Sequence, residues 1–178
     1  MADEQPQPGA DQPPVGINIL AQYVKDLSFE NPRAPESLTN QAGQPAIDVG
    51  ISVAVNEKKD IDENIYEVVL NLTAKATTNE GKDPAFIVEM AYGGLFRLIN
   101  VPQEHLNLFL IIEAPRLIFP YARRVFADAV RDGGFPPLML DPVDFAKLYM
   151  QQQQQQGGPG GQGGEGGGGD TPNIVLPS

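Results

Sequence analysis

The sequence predicts an α+β domain in which helices cover one face of an antiparallel sheet, and two observations carry that reading. From residue 17 to about residue 98, apolar side chains recur at every second position in four runs separated by polar turns, the period of strands buried on one side. After Pro102 the apolar spacing widens to that of helices. Strands first and helices afterwards give a sheet with one covered face.

The first strand is "INILAQYVKDLSFENP", ended by Asn31-Pro32. Alternation puts Leu27 and Phe29 on one side and Asp26, Ser28 and Glu30 on the other. The proline-punctuated "RAPESLTNQAGQP" is too long for a tight hairpin and reads as a crossover to another position in the sheet. In "AIDVGISVAVNE" the residues Ile47, Val49, Ile51, Val53 and Val55 share a face, opposite Asp48, Gly50, Ser52 and Asn56. In "NIYEVVLNLTAKAT" Tyr66, Val68, Leu70 and Leu72 oppose Glu67, Asn71 and Thr73. The fourth run, "AFIVEMAYGGLFRL", sets Phe86, Val88, Met90 and Tyr92 against Ile87, Glu89 and Ala91. The links "EKKDIDEN" and "NEGKDP" are short and turn-like, as an antiparallel meander requires.

Helical spacing then runs through "QEHLNLFLIIEAPRLIFPYARRVFADAVRDGG", notably at Leu117, Tyr121, Val125 and Ala129, and stops at Gly133-Gly134. Pro115 and Pro120 are expected to start or split helices here, because an internal proline loses a backbone hydrogen bond. A short helix is expected at "DPVDFAKLYM", with Asp141 as N-cap and Pro142 in the first helical position. Residues 1–15, rich in Pro, Gln and Asp, and the Gln/Gly-rich residues 151–178 cannot repay the entropy of ordering and are expected to be disordered tails around a domain at 16–150. The terminal "TPNIVLPS" is slightly apolar and is assigned no role.

Composition narrows the function. With 178 residues and a formal net charge of -11, the chain repels phosphate backbones and anionic head groups, so neither nucleic acid nor a membrane surface is an expected partner. There is no cysteine and a single histidine, His105, which removes thiolate zinc sites and the common nucleophile-histidine pairs. His105 reads as an ordinary helix residue, and Asp60, Asp62 and Glu63 as a solvated turn without the glycine and distal glutamate of a calcium loop. Gly93-Gly94 precedes "LFRL" and no helix start, so it marks a bulge or a close backbone contact, not a phosphate cradle. Arg123 and Arg124 read as a charged, solvated helix face. No apolar run reaches membrane-spanning length, and the expected location is the cytoplasm. No cofactor or metal is expected.

What remains is the uncovered face of the sheet. Alternation would bring Asp26, Glu30, Glu67 and Glu89 to it without matching lysines. Two readings of such a surface stay open: solubility alone, or a landing site for a basic partner with Ile87 adding an apolar contact.

The blocks "YVKDLSFENP", "FIVEMAYGGLFRL", "LIFPYARRVFADAVRDGGFPPLML" and "PVDFAKLYM" resemble, in order and spacing, those of the SecB family of bacterial protein-export chaperones, over about residues 17 to 150. The resemblance implies a four-stranded antiparallel sheet with a crossover between the first two strands, packed on a long helix and a shorter C-terminal helix. It implies protomers paired through edge strands and dimers joined through the long helices into a homotetramer. It also implies a holdase that needs no ATP, keeping precursor proteins unfolded and delivering them to the motor ATPase SecA, whose basic C-terminal tail carries its own zinc.

Residue by residue, the resemblance places SecA contacts on Asp26, Glu30, Ile87 and Glu89, and a client groove on Ile47, Val49, Ile51, Leu148 and Tyr149. Each groove residue singly is also what a sheet-on-helix core would contain. The crossover departs from better-known members in lacking a tryptophan, and the Gln/Gly tail replaces a short acidic end. Two readings from other classes stand beside this one: a small α+β enzyme using Glu67 or Glu89 as a buried acid or base, and a structural assembly subunit that ignores unfolded chains.

Overall fold

The computed structural model describes residues 14–39, 45–78, 83–156 and 174–175. Strands β1 (Gly16–Glu30), β2 (Ala46–Glu57), β3 (Ile65–Thr78) and β4 (Asp83–Ile99) form an antiparallel sheet in the order β1-β4-β3-β2. The first two strands therefore lie at opposite margins, as the long link between them requires. That link carries the single turn α1 (Glu36–Thr39). After β4 the chain passes through a 3-10 turn (Gln103–His105), the short α2 (Leu106–Leu108) and a π-turn (Phe109–Glu113) into the long helix α3 (Ala114–Asp132), then α4 (Phe145–Gln156). A two-residue strand, β5 (Ile174–Val175), pairs antiparallel with β2.

Alternation sorts the sheet as its sequence predicts. Val53 and Val55 on β2, Val68, Leu70 and Leu72 on β3, and Phe86, Val88, Met90 and Phe96 on β4 are all buried on the inner face. Helix α3 covers them with Ile118, Ala122, Phe126 and Val130, each 0% exposed. A fully buried side chain of this size contributes about 1.5–3 kcal/mol, so this seam is the main source of stability. Gly94 lets the two layers meet closely, since a Cβ there would come within 3.1 Å of Ile118. Gly133 and Gly134 end α3: Gly134 takes φ +90°, its N–H bonds the Arg131 carbonyl, and the Phe135 N–H bonds that of Val130, the Schellman pattern. This turn delivers Phe135 into a cluster with Phe86 and Phe29, at ring distances of 4.9 and 6.3 Å.

Several helical expectations change. Of the residues that mark the helical spacing, Leu117 and Tyr121 are exposed while Val125 and Ala129 pack partly buried against the core, and the fully buried stripe lies one residue on, at Ile118, Ala122 and Phe126. Pro115 sits in the first turn of α3, but Pro120 lies inside the helix without breaking it. It is on the exposed side, where water can reach the carbonyl that its ring leaves without a donor. Helix α4 is capped by Asp144, whose Oδ1 accepts the Lys147 N–H at 3.0 Å, and not by Asp141. Arg123 donates to the Leu140 carbonyl at 3.3 Å, within a stretch without regular secondary structure that runs to Asp144, and the helix starts after it. Arg123 is thus half-buried rather than a solvated face residue. The helix also runs through the glutamines to Gln156, and β5 adds pairing at 174–175, both inside the segment expected to be a disordered tail. The expected tail at residues 1–15 falls outside the described residues except for its last two.

A second correction concerns Glu67, which is 4% exposed and not part of an open acidic surface. Of the two readings of Gly93-Gly94, the close contact is the one found there, and the bulges lie across from the pair in β1, where register shifts occur between Ile19 and Ala21 and between Val24 and Asp26. With an extra residue there, Lys25 reaches Glu67 at 2.9 and 3.0 Å on its two carboxylate oxygens. Tyr23 lies over Gly93, where any Cβ would strike its ring, and donates to Glu67 at 2.5 Å. Asn56 donates at 3.1 Å, and Lys58 stands 3.8 Å away. Burial pushes the Glu67 carboxyl up, but the hydrogen bonds from Tyr23, Lys25 and Asn56 and the charge of Lys25 outweigh it and hold the group below its ordinary value. Tyr23 is pushed up to about 12 by burial, by its bond to Glu67 and by that carboxylate's charge. The network ties edge strand β1 to β3 and β2.

Two outcomes follow. Phe126→Ala is expected to lower unfolding free energy by about 3–5 kcal/mol in denaturant titrations, the range for emptying a fully packed aromatic site. Because the folded state lowers the Glu67 pKa, its contribution is complete above the unfolded value of 4.5 and fades as pH falls through the folded value. Tyr23, raised in the fold, contributes below pH 10 and loses its contribution between pH 10 and about 12. Glu67→Gln is therefore expected to cost roughly 1–3 kcal/mol at pH 7, with a gap from the parent that narrows at both extremes. A gap that stays constant from pH 3 to 11 would refute this account of the network.

Candidate functional site

Two surfaces stand out, on opposite faces of the sheet. On the outer face the β1–β4 register sets Ser28 against Glu89, Glu30 against Ile87 and Asp26 against Ala91. Residues paired across adjacent strands point the same way, so Asp26, Glu30, Ile87 and Glu89 form one contiguous patch. The three carboxylates are exposed and Ile87 is half-buried among them. None of the three has an ion-pair partner among the described residues. The expectation of no matching lysines needs amending, however. Lys25 and Lys58 are engaged by Glu67, and Lys75 of β3 pairs with Ile87 at the margin of the patch. Three uncompensated carboxylates around an aliphatic contact are complementary to a basic segment with an apolar side chain.

On the inner face, beyond the cover of α3, a groove of about 550 Å³ runs between β2, residues 138–144 and α4. Ile47, Val49 and Ile51 form its floor, and Leu148 and Lys147 its helical wall. It opens to solvent along a mixed rim: Ile47 is 41% exposed and Met139 65%, and Asp141, Asp144 and Lys147 are exposed beside them. Four of the five residues expected in a groove are thus brought together. Tyr149 is not one of them. One position round the helix from Leu148, it packs half-buried against the core, and its hydroxyl accepts a hydrogen bond from Gln153 at 3.0 Å. Sequence reasoning missed the opposite wall, Leu138, Met139, Leu140 and Val143, although the apolar "LML" between prolines was a usable signal. Non-directional contact with this apolar floor and wall accepts many apolar side chains, while Asp141, Asp144, Lys147 and Gln151 add polar groups to the lining.

A third, simpler surface is the β1 margin, where Ile19, Leu20, Val24 and Leu27 are exposed, together with Leu117 and Tyr121 on the outer side of α3. The carboxylate chemistry of an acid-base enzyme finds little support in this geometry. Glu67 is buried, but its pKa moves down instead of up, and Glu89 stands exposed on the outer face. No cluster of metal-ligating side chains occurs among the described residues, and no helix among them is long and apolar enough to cross a membrane.

Comparison with known proteins agrees with this arrangement. The family model for preprotein translocase subunit SecB matches residues 10–156. The protein-export protein SecB of Bradyrhizobium sp. strain BTAi1 is 55% identical over 139 residues, covering 78% of this chain and 83% of the relative. That of Rhodopseudomonas palustris strain BisB5 is 57% identical over 135 residues, covering 76% and 82%. Among solved structures, a Mycobacterium tuberculosis SecB-like chaperone in complex with a peptide from the HigA1 antitoxin superposes with a TM-score of 0.57 at 16% identity, covering 71% of this chain and 90% of that one, a likeness of fold. With its sheet, crossover and helices so arranged, the family model matching residues 10–156 and 55–57% identity over the residues aligned with those two relatives, the chain belongs to the SecB family.

Proposed function

We propose that the protein is a cytoplasmic, ATP-independent holdase of protein export, which keeps precursor proteins unfolded in its groove and hands them to SecA. The observation that carries this reading is the open apolar groove along β2, in a chain of this family. An unfolded precursor exposes apolar segments that an open groove with an apolar floor can bury, and the exchange requires no nucleotide because capture competes with folding and aggregation in time. The outer patch of Asp26, Glu30, Ile87 and Glu89 is the surface we assign to SecA. Its charge suits a basic tail, and it lies across the sheet from the client, so both can be held together. We assign the exposed apolar margin of β1 and the Leu117–Tyr121 side of α3 to self-association as a dimer of dimers, which would bury what the monomer leaves bare.

Calorimetric titration of a permanently unfolded soluble polypeptide, without nucleotide, tests client capture. Micromolar or tighter binding, with none to the folded form of the same polypeptide, is expected. Absence of binding at micromolar concentrations would leave the structural-subunit reading standing. The division of surfaces makes a sharper claim. Asp26→Ala combined with Glu89→Ala is expected to weaken SecA binding about tenfold, or ~1.4 kcal/mol, and to leave client affinity unchanged, while Ile47→Asp combined with Leu148→Asp does the reverse. Equal loss of both activities in either variant, with folding intact, would overturn the assignment.

A further inference from the structure

Strand β5 lies where a client would begin to bind. Ile174 pairs with Val53 and Val175 with Ser52, on the side of β2 that β3 does not use. The next inward-facing residue of β2 is Ile51, part of the groove floor. β5 also approaches α4, which forms the groove's helical wall. A short extended segment from the chain's own C-terminal part thus takes the backbone hydrogen-bonding edge at one end of the groove.

That edge matters because apolar contact alone does not satisfy a bound chain's amides. An extended polypeptide laid along Ile47, Val49 and Ile51 gains main-chain hydrogen bonds by adding to the β2 edge, and exposed strand edges are the general template for such addition. The local sequence "NIVLP" is apolar and β-branched, flanked by prolines and reached through a glycine-rich stretch. In a protein with a net charge of -11 this is an uncharged run with the composition of an exposed precursor segment.

We propose that Ile174–Val175 is an intramolecular occupant of the β2 edge that competes with client chains, so that the groove opens fully only when this segment is displaced. The proposal rests on the client-capture reading above. Two residues of pairing make a weak contact, but a tethered segment acts at an effective concentration of about a millimolar, enough for a contact of millimolar strength to be substantially occupied. A competitor occupied for most of the time raises the client's apparent dissociation constant by the reciprocal of the free fraction. Weak occupation of this kind would reject short or poorly apolar chains and yield to long unfolded ones.

The test compares the full chain with a chain ending at Asp170 and with a full-length Ile174→Pro, Val175→Pro variant, since proline removes the N–H that strand pairing needs. Each is titrated with the same unfolded polypeptide, and amide exchange is followed at residues 51–54. Both altered chains are expected to bind about threefold or more tightly than the parent and to exchange faster at the β2 edge. Added "TPNIVLPS" peptide is expected to restore the weaker binding to the truncated chain. Equal affinity and equal exchange in all three chains would overturn the proposal and leave client capture intact. Failure of all three to bind the polypeptide would overturn client capture, and the competition with it.

Discussion

The structure depends on the one-sided cover that α3 gives the sheet. A helix of 19 residues is about 28 Å long and, with side chains, about 10 Å across. Strand β4, at 17 residues, runs about 56 Å, and neighbouring strands are about 4.8 Å apart. One helix can therefore cover two strands over half their length, and it does so at the centre, where Phe96, Val88, Leu70 and Leu72 meet Ile118, Phe126 and Val130. Everything beyond that footprint needs another solution.

The two margins solve it differently. At β2 the π-turn, residues 138–143 and α4 close over part of the inner face and leave a groove, because an irregular apolar segment pinned at Leu140 by Arg123 cannot fill space as a helix does. At β1, Ile19, Val24 and Leu27 stay exposed among the described residues. Among the described residues no helix covers the outer face, and there the carboxylates divide into two kinds. Glu67 is buried and met by two lysines, a tyrosine and an asparagine, so its charge holds strands together. Asp26, Glu30 and Glu89 face water with no such partners among the described residues, so their charge stays available to another molecule.

Much of this was legible in the sequence, and the misses have physical causes. Period-two alternation assigned both faces of β2, β3 and β4 correctly, and those of β1 from Asp26 onward, because both β1 bulges precede that residue. It could not show that Glu67 was buried, since that depends on a bulge and on a tyrosine 44 residues away. Helical spacing identified α3 but not its inward side: with Leu117 and Tyr121 on one stripe and Ile118, Ala122 and Phe126 on the next, periodicity alone does not say which faces the sheet. Asp141 and Asp144 are equally good caps by type, and the residue type alone does not say that Asp144 takes the Lys147 N–H. That three-residue shift in the start of α4 accompanies a wall built from Lys147 and Leu148, with Tyr149 turned to the core.

The placement of the two candidate surfaces has its own consequence. A client in the groove would touch the inner side of β2, while a basic partner on the patch would touch the outer side of β1 and β4, two strands away. Side chains on opposite faces of a sheet cannot clash, so the surfaces can be filled together without any conformational change, and coupling between them is not required by geometry. If handover needs the client to leave when the partner arrives, the release must come from the partner pulling on the client chain or from something that acts at the β2 edge itself. The sheet, held rigid by its buried centre, serves as a partition between the two.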